Sequence, residues 1–287
     1  MRMDLHTHTT ASDGLLDAKA LIAEAGARSV RLLAVTDHDT TASVDEAVRA
    51  GGDVGIEVWP AVELSCDVEA GEVHILGYFV DHHLDWFQAL LERLREGRLH
   101  RAERMVERLT ELGAPVAFAR VEVLAAGGAI GRPHVARALV EAGWVRDVAE
   151  AFDRFIGRNG PAYVERLKVT PADAVAIIRN AGGLAVLAHP GWSQGDGLVP
   201  ELVAAGLDGI EVYYPDHSPA LVEHYAGLAR HHGLLITGGT DFHGGALATR
   251  IPLGSQYVPE EIIAPIRLAA SARRPVPTAP RVALAVE

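Results

Sequence analysis

The sequence predicts an α/β fold in which about seven strands close into a barrel, and three observations carry this expectation. Short apolar runs alternate with amphipathic stretches over most of the 287 residues. Repeated βα units of that length call for mainly parallel strands with helical crossovers. Glycine and proline punctuate the runs, as at Gly51-Gly52 and Pro190. Histidines and carboxylates gather where the runs stop, and the carboxyl ends of strands are where barrels of this kind build their sites.

The elements follow in order. Residues 3–8 read as a strand whose period of two puts Asp4, His6 and His8 on one face. A helix over about 16–27 has Leu16, Ala20, Leu21, Ala23 and Ala27 on one side. The apolar run 32–36 is a buried strand leading to a helix over 41–50, which the glycine pair ends. Strands over 56–63 and 73–80 flank a turn at Gly71, which makes them an antiparallel pair. After an interruption come helix 171–181, strand 184–188, helix 198–205, strand 208–213, helix 219–232 and strand 234–240.

Composition fits an enzyme with a sizeable core. Hydrophobic residues make up 49 % of the chain, and no apolar run reaches the roughly 18–20 residues that span a membrane. Met1 leads straight into the first strand, which leaves no room for a signal peptide. The single cysteine, Cys66, cannot form an internal disulfide, and the expected location is the cytoplasm.

Seven of the 14 histidines lie near element ends rather than in mid-helix: His6, His8, His38, His74, His134, His189 and His243. Glu63, Asp13 and Asp241 accompany them. Nitrogen and oxygen donors of this kind hold divalent transition metals. One such group is weak evidence, whereas three stretches at strand ends point to one polynuclear centre. The net charge of −12 would repel a phosphorylated substrate, but bound cations invert the local sign. Three divalent ions among three carboxylates leave a positive pocket, which suits a small anion better than a long nucleic acid along a basic groove.

Residues 85–167 read as a helical insertion over the barrel mouth, dividing the barrel into 1–84 and 168–287. Leu90, Leu91, Leu94, Met105, Val106, Leu109 and Leu112 recur at helical spacing. Arg93, Arg95, Arg98, Arg101, Arg104 and Arg108, interleaved with glutamates, read as a solvated face laced with ion pairs. Arg132, Arg158 and Lys168 are the better candidates for anion contacts, because the guanidinium fork matches phosphate. Trp192 could stack a base, and one of Tyr213, Tyr214 and His217 could hold substrate. The tail after Arg274 has no readable role.

The wording of residues 4–14, Asp-Leu-His-Thr-His-Thr-Thr-Ala-Ser-Asp-Gly, and Gly131-Arg132-Pro133-His134 within an insertion resemble the PHP family, in particular its stand-alone branch of nucleoside 3′,5′-bisphosphate phosphatases and 5′-to-3′ exonucleases on short RNA. The resemblance covers about 2–80 and 171–245, plus His134. It implies a distorted (β/α)7 barrel with three metals, often manganese, or iron or zinc. It groups His6, His8, Glu63 and Asp241 around one metal, Glu63, His74 and His134 around a second, and Asp13, His38, His189 and His243 around a third. Asp37 and Asp39 would orient ligands rather than bind metal.

The expected activity is hydrolysis of a phosphomonoester by a metal-activated water, with Asp13, Glu63, His189 and Asp241 at the reacting centre. The substrate would be a small phosphorylated nucleotide or short 5′-phosphorylated RNA. Two other readings stay open: a histidinol-phosphate phosphatase, which shares the metal set, and a non-catalytic module stabilised by metal. A non-phosphate amidohydrolase is disfavoured, because no lysine lies at a strand end suited to bridging two metals.

Overall fold

The computed structural model describes residues 1–68, 71–165, 169–193, 195–244 and 251–282. Seven strands form one sheet in sequential order: β1 (Arg2–Thr7), β2 (Val30–Val35), β3 (Glu57–Val68), β4 (Gly71–Tyr78), β5 (Leu184–Leu187), β6 (Gly209–Tyr213) and β7 (Leu235–Gly238). Four of the six pairings are parallel, and β4 runs antiparallel to both neighbours. Its reversal follows from the short link between Val68 and Gly71, since only antiparallel strands can be joined so briefly.

The first strand also meets the segment beyond the last. Thr7 bridges Phe242, the His8 N–H donates to the Phe242 carbonyl at 2.8 Å, and the Phe242 N–H donates to the His6 carbonyl. A Cβ on Gly239 would lie 2.5 Å from His6 Cβ, so only glycine lets the chain after β7 approach β1 this closely.

Helices cover the outside of the sheet: α1 (Ala18–Ala27), α2 (Val44–Val54), α7 (Pro171–Asn180), α8 (Val199–Ala205) and α9 (Pro219–His232). Their starts are fixed by side chains that satisfy otherwise orphaned amides. Asp17 accepts from the Ala20 N–H, Thr170 from Asp173 and Ser218 from Leu221. One apolar cluster joins strand and helix residues, among them Ile75, Leu187, Val212, Ile178 and Leu202. A second fills the other face with Leu5, Leu32, Trp59, Leu76 and Val186. Each such side chain contributes about 1.5–3 kcal/mol on burial. Tyr78 adds specificity there, since its buried hydroxyl donates to the Leu5 carbonyl at 2.8 Å.

The interruption is helical, as expected: α3 (Asp85–Glu111), α4 (Phe118–Ala125), α5 (Arg132–Glu141) and α6 (Val148–Ala151), the last running on into a wider turn at 152–156. Leu109, Val121, Val135, Leu139 and Ile156 form a core of their own. The first half of α3 belongs elsewhere, because Phe87, Leu91 and Leu94 pack into the sheet's core. One long helix thus roots the insertion in the strands beneath it.

The tail that carried no legible role is pinned down. Arg273 pairs with Asp208, the Val276 N–H donates to the Asn180 carbonyl, and the Trp86 indole donates to the Val276 carbonyl. No helix among the described residues is long and apolar enough to cross a membrane.

Candidate metal centre

Glu63, in the middle of β3, is fully surrounded by imidazoles. Its Oε2 lies 3.3 Å from His6 Nε2, 3.2 Å from His8 Nε2 and 3.1 Å from His38 Nδ1. Its Oε1 lies 2.9 Å from His74 Nδ1 and 3.2 Å from His189 Nε2. The strands deliver these groups: β1 supplies His6 and leads to His8, the His38 backbone bridges Glu63 itself, and His74 comes from the antiparallel partner. Asp241 Oδ1 closes the first group, 3.3 Å from His6 and 3.1 Å from His8. Asp13 and His243 extend the cluster, with His243 Nε2 at 3.2 Å from Asp13 Oδ1.

Three overlapping donor sets result: His6, His8, Glu63 and Asp241; His8, Asp13, His38 and His243; and His38, Glu63 and His74. His6 Nε2, both His8 ring nitrogens, Asp13 Oδ1, Glu63 Oε2 and His189 Nδ1 are buried without a hydrogen bond of good geometry. Orphaned buried donors and acceptors cost of the order of 1–3 kcal/mol each. Packed face to face in one cavity, they fit divalent cations, which satisfy lone pairs without supplying protons.

Two histidines stand differently from the grouping the resemblance implies. His189 lies beside Glu63 and His74 rather than with Asp13, because β5 pairs with β4 and the Ala188 N–H donates to the His74 carbonyl. His134 Nδ1 accepts the Gly131 N–H at 3.0 Å. A neutral ring accepting at Nδ1 must carry its proton on Nε2, so neither nitrogen offers a lone pair. Burial lowers its pKa to about 4, opposed by Asp13. Neither His134 nor His189 belongs to any of the donor sets among the described residues.

The surrounding groups orient the donors. Glu211, which sequence reading missed, is wholly buried on β6. Its Oε1 meets His6 Nδ1 at 3.0 Å and its Oε2 accepts the His189 N–H at 2.8 Å. With Nδ1 donating to Glu211, His6 presents its Nε2 lone pair to the cluster. His243 does the same by donating Nδ1–H to the Asp241 carbonyl at 2.8 Å. Tyr214 donates to Asp241 Oδ2 at 3.2 Å, and burial pushes its phenol far up, so the proton stays.

Asp4 shares the face of His6 but accepts from Thr240, Gly254 and His6 amides instead, locking β1 to the far end of the chain. Asp37 accepts from the Thr9 amide and from the Thr9, Ser12 and Ser43 hydroxyls, holding the loop after β1. Asp39 accepts from the Ser65 amide and from Arg98. Three residues here adopt left-handed backbone: Asp39 (φ 52°), His189 (φ 27°) and Asp241 (φ 52°).

Arg98 and Arg101 depart from the solvated face expected for α3: they are only 9 % and 6 % exposed. Arg98 reaches Asp39 and the Ser65 hydroxyl at 2.6 and 2.7 Å, and Ser65 Oγ lies 3.4 Å from His38 Nδ1. Arg101 donates to the Val164 carbonyl at 2.7 Å. Of the expected anion contacts, Arg132 pairs with Glu72 and lies over the Phe152 ring. Arg158 donates to the Gly71 carbonyl at 2.6 Å, and Lys168 lies outside the described residues. Trp192 is exposed, its ring 6.0 Å from His74 and 5.4 Å from His189.

Burial opposes every charge in the cluster, and the mutual attraction overrides it. Asp13, Glu63 and Asp241 are held well below the usual carboxylate range by the histidines around them. Burial works against a charged His8, but Asp241 and Glu63 raise its pKa to about 10. His38 goes the other way, pushed by burial down to about 3.

The chain is similar to known proteins along most of its length. The PHP domain model matches residues 4–157. The 5′-3′ exoribonuclease Rnm of Escherichia coli is 38 % identical over 251 residues, covering 84 % of each chain. The 3′,5′-nucleoside bisphosphate phosphatase of Chromobacterium violaceum is 38 % identical over 247 residues, covering 84 % of this chain and 87 % of its own. A structure from Bifidobacterium adolescentis, described as a candidate metal-dependent phosphoesterase, superposes with a TM-score of 0.85 at 30 % identity over 93 % of this chain and 96 % of that one. A domain match over more than half the chain, and relatives 38 % identical over 84 % of it, agree with the strand-end donors: the chain belongs to the PHP domain family.

Proposed function

We propose that the protein is a metal-dependent phosphoesterase that removes the 3′-phosphate of nucleoside 3′,5′-bisphosphates. The observation that carries the reading is Glu63, whose two oxygens face different histidines and can be shared between two ions. The relatives named for bisphosphate hydrolysis and for 5′-3′ exoribonuclease activity support the nucleotide substrate and favour trimming of short RNA as a second activity. The seven strands, with β1 hydrogen-bonded to the segment after β7, are taken as a distorted barrel carrying the centre at one mouth.

His6, His8, Glu63 and Asp241 would hold one divalent ion, Glu63, His74 and His189 a second, and Asp13, His38 and His243 a third. Manganese, iron and zinc all suit such mixed shells. When bound, such ions lower the pKa of a coordinated water towards neutrality and draw charge from phosphoryl oxygens. Glu211 and the Asp241 carbonyl fix the tautomers of His6 and His243. The Tyr214 hydroxyl steadies Asp241, and His134 keeps an Nε2–H for a substrate oxygen on the Asp13 side.

Two measurements test this reading. Reconstituted protein should approach three equivalents of metal by elemental analysis, and a plateau at one would leave only the His6/His8 set. His8 carries a proton at neutral pH, so metal uptake must expel it, and affinity should rise with pH. Because its folded pKa is raised from 6.5 to about 10, the stability it contributes is complete below 6.5 and lost as pH rises through about 10. Metal-free protein should therefore melt at lower temperature at pH 10 than at pH 7, while the loaded protein should change much less.

The second measurement is phosphate release from adenosine 3′,5′-bisphosphate, histidinol phosphate and a short 5′-phosphorylated RNA. The bisphosphate should be preferred in kcat/KM. Preference for histidinol phosphate would overturn the nucleotide reading, and no turnover of any substrate by metal-loaded protein would leave a binding module.

A further inference from the structure

A cleft of about 390 Å3 opens beside the metal centre on its Asp13 side, with Asp13 and His243 among its lining. We propose that this cleft is the subsite for the nucleoside of the substrate, and that Arg137 holds the phosphate that is not hydrolysed. The proposal rests on the nucleotide reading above and names where its specificity resides.

Position comes first. A group filling the cleft touches Asp13 and His243, so it is joined to whatever ester lies at the donors. Its size falls within the roughly 300–1,000 Å3 of small-ligand sites. Leu15 lines it from the loop after β1, and Val140 and Val148 line it from the insertion. Apolar walls with a few polar groups suit a flat heterocycle.

Charge then selects the contact for the second phosphate. Of the charged groups around the cleft, Glu141 is committed to Arg120 through contacts of 2.6 and 2.9 Å. Asp147 accepts the Glu150 N–H as the cap of α6, and Arg146 is tied to Glu150 at 2.8 Å. Arg137 lines the same cleft from α5 and makes no hydrogen bond or ion pair among the described residues. A half-buried guanidinium with unused donors, near a centre that would hold the scissile phosphate, suits a second phosphate. Arg132 and Arg158, which sequence reading favoured, are engaged with Glu72 and Gly71 instead.

Arg137→Met keeps the aliphatic stem and removes the charge, and Val148→Trp fills the cleft. Binding of AMP, the product that keeps the unhydrolysed phosphate, to the metal-loaded protein is measured by calorimetry, alongside hydrolysis of p-nitrophenyl phosphate. R137M should weaken nucleotide binding roughly ten- to a hundredfold and leave p-nitrophenyl phosphate turnover within about twofold. V148W should impair nucleotides selectively in the same way. Wild-type nucleotide affinity in R137M would overturn the role of Arg137, and wild-type affinity in V148W would overturn the cleft. Equal losses on both substrates would mean that the residue serves folding, which also overturns the proposal. If the unaltered protein hydrolyses p-nitrophenyl phosphate but binds no nucleotide, the substrate class itself is wrong, a failure distinct from that of the cleft.

Discussion

Glu63→Gln should abolish almost all phosphatase activity while leaving a folded protein. The amide keeps the size of the side chain but replaces an anionic oxygen with an NH2 group, which donates hydrogen bonds and does not bind metal. Both oxygens are in use, one towards His6, His8 and His38 and the other towards His74 and His189. Loss of a shared ligand should raise the barrier by several kcal/mol, on the order of a thousandfold or more in kcat. Elemental analysis should show fewer metal equivalents, and circular dichroism should be unchanged. Near-normal turnover at saturating manganese would show that Glu63 is not shared between ions.

The second large effect concerns stability rather than chemistry. Arg98→Met should destabilise the protein by roughly 3–5 kcal/mol, because it takes a short charged contact from the buried Asp39 carboxylate. Asp39, 2 % exposed, would keep the Ser65 amide but lose the guanidinium. Chemical denaturation of the metal-free protein at pH 7 reads the change directly. The same substitution removes the donor behind Ser65, which faces His38, so metal affinity should fall as well. A change below about 1 kcal/mol would class the pair with exposed ion pairs.

The residues of the candidate metal centre are legible because histidine and carboxylate at strand ends break the pattern of an ordinary α/β protein. Asp13, Glu63 and Asp241 came with them. The resemblance sets His6, His8, Glu63 and Asp241 together, and Asp13 with His38 and His243, as the donor sets do, whereas the place of His189 depends on which strands pair. The antiparallel contact of β4 with β5 brings the His189 ring within 5.1 Å of the His74 ring, and no local signal announces it. His134 reads as a ligand from its residue type, and the Gly131 amide beside its Nδ1 is a contact that no local signal announces.

Two misses had signals that could have been weighed. Glu211 lies inside the apolar run Gly209-Ile-Glu-Val-Tyr213, where a charge must find a buried partner. Arg98 and Arg101 are spaced with Leu94, Met105 and Leu109 on one stripe of α3, the buried one. The alternation of arginine and glutamate along that helix concealed the stripe. Arg137 drew no notice because a lone arginine on a helix is ordinary, and only the packing of α5 and α6 around it forms a cleft.

The left-handed backbone at Asp39, His189 and Asp241 has an evolutionary consequence. A side chain in that region costs about 1–2 kcal/mol relative to glycine. At His189 and Asp241, then, the substitution to glycine relieves backbone strain while removing a donor, whereas at Asp39 it would strand the buried Arg98. Selection for stability alone would erode the centre from those points, and selection for activity must oppose it continuously. A copy of this chain released from its catalytic role should therefore lose Asp241 and His189 among its first changes, and become harder to unfold as it does so.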